Sequence, residues 1–274
     1  MIDLHCHILP GLDDGPSEMV ESLQMADIAA RDGISVIMAT PHAYPDVFFP
    51  KAEEVERAAD RLREGLKAQG LKVAIGVGRD AHLVPELLEN LNAGRVQALN
   101  GSRYVLTEPP EFFTGVDLQD QLFRLRQGGY IPVITHPERY AMFVEDPSLV
   151  QALVEQGNIF QVTAGSLMGR FGHEAQDFSR WMAMHRLLHV IASDAHGPRH
   201  RAPVLREAYR VLEEWVGAGD ASVIRENARA VWENRELAVL APVGPGRGFF
   251  HRLKLRFRRP PGRWQGSGSV DKGK

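Results

Sequence analysis

Eight side chains that commonly bind metal ions stand at the ends of short apolar runs along this chain. His5 and His7 follow the first run, and Asp194 and His196 follow the last, two residues apart in each case. The other four, each after a run of its own, are His42, Asp80, Glu108 and His136. Imidazoles and carboxylates without thiolates suit Mn²⁺, Fe²⁺ or Zn²⁺ in open hydrolytic sites. Because these ligands exceed what one ion can use, the sequence predicts two or three divalent ions, with Mn²⁺ as the first expectation and Fe²⁺ or Zn²⁺ as alternatives.

The His-x-His pair at the start of the chain has the spacing of a two-point metal seat. Successive residues of a strand point to opposite faces, so His5 and His7 share one face and Cys6 takes the other. We therefore interpret Cys6 as a small packed residue rather than a ligand. The histidines outside the strand ends are interpreted as structural or surface residues; they are His82, in a predicted loop, and His173, His185, His189 and His200.

Two arginines lie just beyond ligand motifs, Arg139 after His136 and Arg201 after His196. A guanidinium group matches phosphate with two parallel hydrogen bonds. Neighbouring ions about 3.5–4 Å apart can activate water and clamp the oxygens of a phosphoryl group. Together these features favour a phosphate ester as substrate over a neutral amide.

The elements that must position these side chains alternate between short β-branched runs and helical stretches. This alternation predicts βα units with a parallel sheet, and in a closed βα barrel the carboxyl ends of all strands meet at one face. We count seven predicted strands, one short of the common eight. They cover residues 2–4, 34–39, 72–76, 103–107, 130–135, 158–163 and 189–193. The predicted helices cover about 16–31, 52–70, 118–127, 148–156, 174–188, 203–216 and 221–234.

Bulk composition narrows the class of protein. The chain has 274 residues, 44% of them hydrophobic, which suffices for one large α/β barrel. A net charge of −3 gives no global preference for nucleic acid, and no apolar run reaches the roughly 18 residues that span a bilayer. The single cysteine excludes an internal disulfide, and no signal-like segment precedes His5. We therefore expect a cytoplasmic protein that does not bind nucleic acid.

The composition changes after Pro242, which predicts a barrel over residues 1–240 and a basic tail over 241–274. Nine Lys/Arg and one Asp fall between positions 243 and 274. Residues 247–259 interleave arginines with Phe249 and Phe250, a pattern that suits peripheral contact with a membrane or another anionic surface. The alternative is a flexible solubilising tail whose last residues, 266–274, are an expression remnant.

Beyond single residues, whole segments resemble the PHP (polymerase and histidinol phosphatase) superfamily. Within it, they are most similar to the bacterial PHP-type protein-tyrosine phosphatases of capsule and exopolysaccharide systems. The resemblance covers about residues 1–238, and the longest matching segments make it specific. The segments are DLHCHILPGLDDG at 3–15, TPH at 40–42, GRD at 78–80, THPERY at 135–140, QVTAGSLMGRFG at 161–172 and ASDAH at 192–196.

This resemblance implies a distorted seven-stranded (β/α)7 barrel with three ions at its carboxyl-terminal rim. The implied ligand sets are His5, His7, Asp194 and Asp80; then Asp80, Glu108 and His136; and finally Asp14, His42 and His196. Arg139 and Arg201 would hold the phosphate while a metal-bound hydroxide attacks it, and His196 could also assist the leaving phenolate. The implied substrate is a phosphotyrosyl protein, typically the tail of a bacterial tyrosine kinase that controls polysaccharide export.

One position departs from the family pattern, because Asp80 stands where its members carry Glu. The shorter side chain moves the carboxylate back by roughly one C–C bond, about 1.5 Å. Bridging two ions would then need a closer backbone, an intervening water or the loss of one ion.

Three alternatives stay open from the sequence. The first is a PHP phosphatase that acts on a small ester such as histidinol phosphate or a sugar phosphate. The second is an amidohydrolase, which commonly needs a lysine at the end of a middle strand, where this chain has Glu108 or Asp80. The third is a non-catalytic docking protein that binds its partner through the basic tail.

Overall fold

The computed structural model describes residues 1–244 of the chain. Met1–Gly244 form one compact unit with a continuous set of strands and helices. The basic segment 247–259 and the surface contact predicted for it lie outside the described residues. No helix within the described part is long and apolar enough to cross a membrane.

The described part of the chain contains nine strands and nine α-helices. The strands are β1 Ile2–Cys6, β2 Val36–Ala39, β3 His42–Ala43, β4 Ala74–Val77, β5 Asp80–His82, β6 Tyr104–Glu108, β7 Ile131–Thr135, β8 Ile159–Thr163 and β9 Val190–Ala192. The helices are α1 Met19–Asp32, α2 Ala52–Ala68, α3 Leu87–Asn92, α4 Gly115–Gln127, α5 Ala141–Glu145, α6 Pro147–Glu155, α7 Ala164–Leu167, α8 His173–Met184 and α9 Arg206–Trp232.

All strand pairs are parallel, which confirms the predicted α/β class. The strands follow the orders β1-β2-β4 and β3-β5-β6-β7-β8-β9. Strand β1 also bonds to the residues after β9, since His7 N donates to Ala195 O at 2.8 Å and Asp194 N donates to His5 O at 2.9 Å. The residues that follow the last strand, β9, therefore lie beside the first strand, β1. Each of the seven predicted strands is found, and β3 and β5 are additional short strands that follow β2 and β4.

Local sequence signals explain where several helices begin and end. Helix α1 ends at Gly33, whose φ of 91° is readily adopted only by glycine. Helix α4 begins after Thr114, whose side chain caps the nitrogen of Asp117. The two predicted final helices are the two halves of α9, which is interrupted at Gly217 with φ 79° and ψ 162°.

Apolar side chains fill the lower part of the strand ring and leave its rim to polar groups. Strands β1, β2, β6, β7, β8 and β9 contribute inward residues such as Leu4, Met38 and Val133, and α9 covers this end with Val231 and Trp232. A Cβ at Gly76 would lie 2.3 Å from the Trp232 ring, so this strand needs a glycine for the helix to approach. Burying each large apolar side chain contributes about 1.5–3 kcal/mol, which anchors the strands whose other ends carry the polar cluster.

Candidate metal centre

The structure brings all nine sequence-predicted metal ligands to the carboxyl ends of the strands. Eight of them sit on a strand or within four residues after one, and Asp14 lies in the loop after β1. Interatomic distances place seven of them in an inner, a middle and an outer group, while Asp194 lies beside the inner group and His136 beside the middle one. The groups are His5, His7 and Asp80; then His42, Asp80 and Glu108; and finally His7, Asp14, His42 and His196.

The inner group is almost fully buried. The Nε2 atoms of His5 and His7 lie 3.0 Å apart. The nearest carboxylate oxygens of Asp80 and Asp194 are each 3.5 Å from His5 Nε2. These four side chains are 0–2% exposed. Their polar atoms therefore depend on one another, or on an ion between them, rather than on water.

The middle group shares Asp80 with the inner one. His42 Nδ1 lies 3.3 Å from Asp80 Oδ2 and 3.8 Å from Glu108 Oε2. His136 Nε2 is 3.8 Å from the other oxygen of Glu108. Asp80 thus faces two sets of ligands at once, although its side chain is one carbon shorter than the Glu of the resemblance.

The outer group opens to solvent. Asp14 Oδ1 lies 3.5 Å from His42 Nε2 and 3.3 Å from His196 Nε2. The Asp14 side chain is 49% exposed, whereas His42 and His196 are 15% and 10% exposed. The His7 and His196 rings are stacked with centroids 3.9 Å apart, so His7 links the outer group to the inner one.

The residues present fit divalent ions. Two ligands that bond to one ion at about 2.0–2.2 Å, at angles near 90–110°, lie roughly 3–3.5 Å from each other. The observed separations of 3.0–3.8 Å are close to that range. Both oxygens of the buried Asp80 carboxylate lack a hydrogen-bond partner, as does the buried Nδ1 of His42. Buried carboxylate oxygens without a donor are costly unless a cation satisfies them.

The pKa values of His5 and Glu108 show that ionisable groups lie very close together in this cluster. Burial lowers the pKa of His5, but the carboxylates of Asp80 and Asp194 outweigh burial and raise it to about 10. Burial, reinforced by the negative charge of Asp80, raises the pKa of Glu108 to about 7. Carboxylates held this close repel one another, so positive charge among them is favourable.

Two further side chains orient the inner histidines and escaped the sequence interpretation. Gln161 Oε1 lies 2.8 Å from His5 Nδ1, and Asp13 Oδ2 lies 2.7 Å from His7 Nδ1. Asp13 also accepts from His42 N at 3.0 Å and from Gly15 N at 2.9 Å. A partner on the second ring nitrogen fixes the orientation of a metal-binding histidine. In the sequence, the adjacent carboxylates Asp13 and Asp14 were the available signal. Only the fold shows that Asp13 orients His7, whereas Asp14 faces the outer group.

Both predicted phosphate-binding arginines converge on one oxygen of Asp194. Arg139 lies 2.9 Å and Arg201 2.6 Å from Asp194 Oδ2. Burial opposes ionisation of Asp194, but Arg201 and the neighbouring histidines hold the pKa of its carboxyl well below its usual range. The two guanidinium groups are about one-third exposed, so they line the mouth of the cluster.

The segment 161–172, which was assigned no role from the residues themselves, supports the turn that carries His136 and Arg139. Glu138 Oε1 accepts hydrogen bonds from Ser166 Oγ at 2.6 Å and Thr163 N at 3.1 Å. The Phe171 ring lies 5.1 Å from the Arg139 guanidinium carbon. This ring occupies space that a Cβ at Gly165 would need, at 2.6 Å. The segment therefore supports this turn at Glu138 and Arg139.

Two of the remaining histidines, His82 and His189, are buried. His82 lies on β5 rather than in the predicted loop, and it is 7% exposed. His189 is 3% exposed and accepts a hydrogen bond from Phe160 N through Nδ1. Cys6 is fully buried, which agrees with its interpretation as a small packed residue.

Known proteins are similar to this chain both in sequence and in fold. The family model described as "Capsular polysaccharide synthesis, CpsB/CapC" matches residues 1–233. The tyrosine-protein phosphatase YwqE of Bacillus subtilis is 37% identical over 237 residues, which cover 86% of this chain and 93% of YwqE. The tyrosine-protein phosphatase CpsB of Streptococcus pneumoniae is 28% identical over 226 residues, covering 81% of this chain and 93% of CpsB.

A solved structure agrees in three dimensions. It comes from crystal structures of YwqE from Bacillus subtilis and CpsB from Streptococcus pneumoniae, described as metal-dependent tyrosine phosphatases. The match has a TM-score of 0.85 and 36% sequence identity. It covers 89% of this chain and 100% of the solved chain. The similarity therefore extends over most of this chain.

Proposed function

This chain belongs to the capsular polysaccharide synthesis CpsB/CapC family, and from that membership we infer that it is a metal-dependent tyrosine-protein phosphatase. The resemblance to PHP-type tyrosine phosphatases of capsule systems, stated from the motifs alone, is confirmed by these relatives. The observation that carries the chemistry is the convergence of nine imidazole and carboxylate side chains at one rim, among them Asp80, whose buried oxygens lack donors.

We propose that three groups of residues hold two or three divalent ions, with Mn²⁺ as the first expectation and Fe²⁺ or Zn²⁺ as alternatives. Asp194 would join the inner group, and His136 would join the middle group through its proximity to Glu108. When bound, such ions supply Lewis acidity that activates water and neutralises charge on a phosphoryl group. The shared position of Asp80 between two groups supports a bridging role for it.

Arg139 and Arg201 are proposed to hold the phosphoryl group of the substrate. Both reach Asp194 from the mouth of the cluster, and the buried Nε of Arg201 has no hydrogen-bond partner. Guanidinium donors placed where negative charge develops lower the barrier of phosphoryl transfer. Their positive charge also favours a dianionic ester over a neutral substrate.

His196 is proposed to serve as a ligand or, when its Nε2 is protonated and does not bind an ion, as the group that assists departure of the phenolate. Its Nδ1 lies 3.0 Å from the carbonyl oxygen of Asp194. A carbonyl oxygen can only accept, so Nδ1 carries the proton and Nε2 faces the cluster beside Asp14. Nε2 can therefore bind an ion or, when protonated, donate to the leaving oxygen.

The finer assignment of the substrate is also a proposal. We propose that the phosphotyrosine lies on a bacterial tyrosine kinase of a polysaccharide-synthesis system, and that the protein acts in the cytoplasm. The family description supports a role in polysaccharide synthesis, and the relatives named tyrosine-protein phosphatases support a phosphotyrosyl protein as substrate. The contact of residues 247–259 with a membrane stays a prediction.

Phosphate release from a substrate panel, measured together with the metal content of the same protein sample, tests the function. We expect release from phosphotyrosyl peptides to exceed release from phosphoseryl peptides, histidinol phosphate and sugar phosphates, and to stop when a chelator removes the ions. Arg139→Ala and Arg201→Ala should lower the rate without lowering the metal content. Faster release from a small ester would instead favour that substrate class, and a protein that binds no metal would favour the docking alternative.

A further inference from the structure

Two aromatic side chains extend the face of the metal ligands towards solvent. Strands β3 and β5 pair His42 with Asp80 in register, and His82 pairs with Glu108 across β5 and β6. Because side chains alternate along a strand, Tyr44 projects on the same side as His42, and His82 on the same side as Asp80. Tyr44 and His82 therefore lie one two-residue step, about 6.6 Å, beyond His42 and Asp80 and level with Glu108.

Tyr44 and His82 form a stacked pair at this level. Their ring centroids are 3.9 Å apart and their planes differ by 19°. His82 is 7% exposed, whereas Tyr44 is 36% exposed. The pair thus presents an aromatic surface next to the cluster, with Tyr44 as the side that solvent and ligands can reach.

The Tyr44 ring is not needed to hold its own turn. Tyr44 N donates to Phe48 O at 2.7 Å, and Phe48 N donates back to Tyr44 O at 2.9 Å. These backbone bonds close the turn for any side chain at position 44. The ring itself therefore serves the stack on His82 rather than the turn, and it stays 36% exposed beside the polar cluster.

On the opposite side of Glu108, another aromatic ring completes the surroundings. Tyr140 donates its hydroxyl hydrogen to Glu108 Oε1 at 3.1 Å, and its ring stacks on His136 at 5.7 Å. Arginines dominate the neighbouring part of the mouth, where Arg139 and Arg201 meet Asp194. The mouth therefore has an arginine side, suited to a phosphate, and an aromatic side, suited to a flat apolar group.

We propose that the stacked pair of Tyr44 and His82 is the subsite for the aromatic ring of the substrate. This proposal rests on the proposed phosphatase function and assigns the specificity for aryl over alkyl esters. A single oxygen separates phosphorus from the ring of phosphotyrosine, so a ring joined to a phosphoryl group at the cluster falls within one strand step of it. Aromatic rings gain from offset or edge-to-face contact beyond the burial of their area. An alkyl phosphate has no group that could make this contact.

Binding of two non-hydrolysable phosphonates to the full-length, metal-loaded protein tests the subsite. We expect the wild-type protein to bind benzylphosphonate more tightly than methylphosphonate. Tyr44→Ala should reduce that preference by about three- to tenfold, the range of a single aromatic contact. Tyr44→Phe should retain it, because the ring remains. Phe123→Ala, which removes a ring that is 53% exposed on α4, is the matched control and should leave the preference unchanged.

The ratio of the two affinities decides the outcome even if Tyr44→Ala disturbs the turn. Loss of metal or of loop order would weaken both ligands together, whereas loss of a ring subsite weakens only benzylphosphonate. An unchanged ratio in Tyr44→Ala, or an equal affinity of the wild-type protein for both ligands, would overturn the proposal. The phosphatase function is tested separately, since its failure appears as absent phosphate release from phosphotyrosyl peptides.

Discussion

The inner and outer ligand groups differ in how firmly the fold holds them. His5 and His7 are fully buried, and each has a side-chain partner on its second ring nitrogen. Asp14, in the outer group, is half exposed and sits in a loop rather than on a strand. Strand positions are fixed by ladder hydrogen bonds on both sides, whereas a loop carboxylate keeps rotational freedom and competes with water.

This difference indicates that the two groups bind their ions with different affinities. Preorganised, buried ligands lose little entropy when an ion binds, and they bind it in a low dielectric where charge attraction is strong. A half-exposed carboxylate gains less from the same ion. We therefore expect a tightly held inner ion and an outer ion that exchanges with solvent.

Removing the carboxylate that the inner and middle groups share should have the largest effect. Asp80→Ala deletes a ligand of both groups, so we expect less bound metal and at least about a thousandfold lower phosphate release. Metal content and single-turnover rates measure this change. If Asp80→Ala retained full metal content and activity, the shared role of Asp80 would be wrong.

The second largest effect is expected when the side chain that orients His7 is changed. Asp13→Asn keeps the shape of the side chain but removes the negative charge beside His7 Nδ1. We expect metal affinity to fall by about 10–100-fold, as for other partners of ligating histidines. Calorimetric titration of the metal-free protein measures it, with Asp27→Asn on α1, whose side chain is 39% exposed, as a matched control. Equal affinities in the two variants would remove Asp13 from the support of the inner group.

Chelator titration should separate the outer ion from the inner one. In the wild-type protein, we expect one ion to leave at a lower chelator concentration than the rest, because Asp14 is half exposed. Asp14→Asn should weaken that ion alone by about tenfold, or about 1.4 kcal/mol. Simultaneous release of all ions in both proteins would contradict the comparison.

The smallest expected effect concerns the support of Arg139. Phe171→Leu removes the ring beside the guanidinium but keeps an apolar side chain. We expect kcat/KM for phosphotyrosyl peptides to fall by about two- to fivefold, in line with a cation–π contact of about 0.5–1 kcal/mol. Metal content should not change. Phe171→Tyr, which preserves the ring, should behave like the wild-type protein.

Much of the fold was predictable because its signals are local. The seven predicted strands are all present, and the glycine stop at Gly33 ends α1 as expected. The short strands β3 and β5 were missed, since each has two or three residues and no apolar run of its own. His82 was placed in a loop for the same reason.

The predicted site residues lie together, but their grouping differs in detail from the resemblance. His42, rather than His136, shares a compact group with Asp80 and Glu108, and His7 lies in both the inner and outer groups. Asp13 and Gln161 were missed because their roles depend on contacts across 6 and 156 residues of chain. Spacing along the sequence carries no signal for such contacts.

The sequence by itself determined the kinds of ligand, their positions at strand ends and the parallel α/β class, because side-chain chemistry and strand periodicity are local properties. Only the tertiary structure decided which ligands share an ion-sized space, which are buried and which side chains orient them. Those properties depend on the closure of β1 against the end of β9, which brings residues nearly two hundred positions apart to within hydrogen-bond distance.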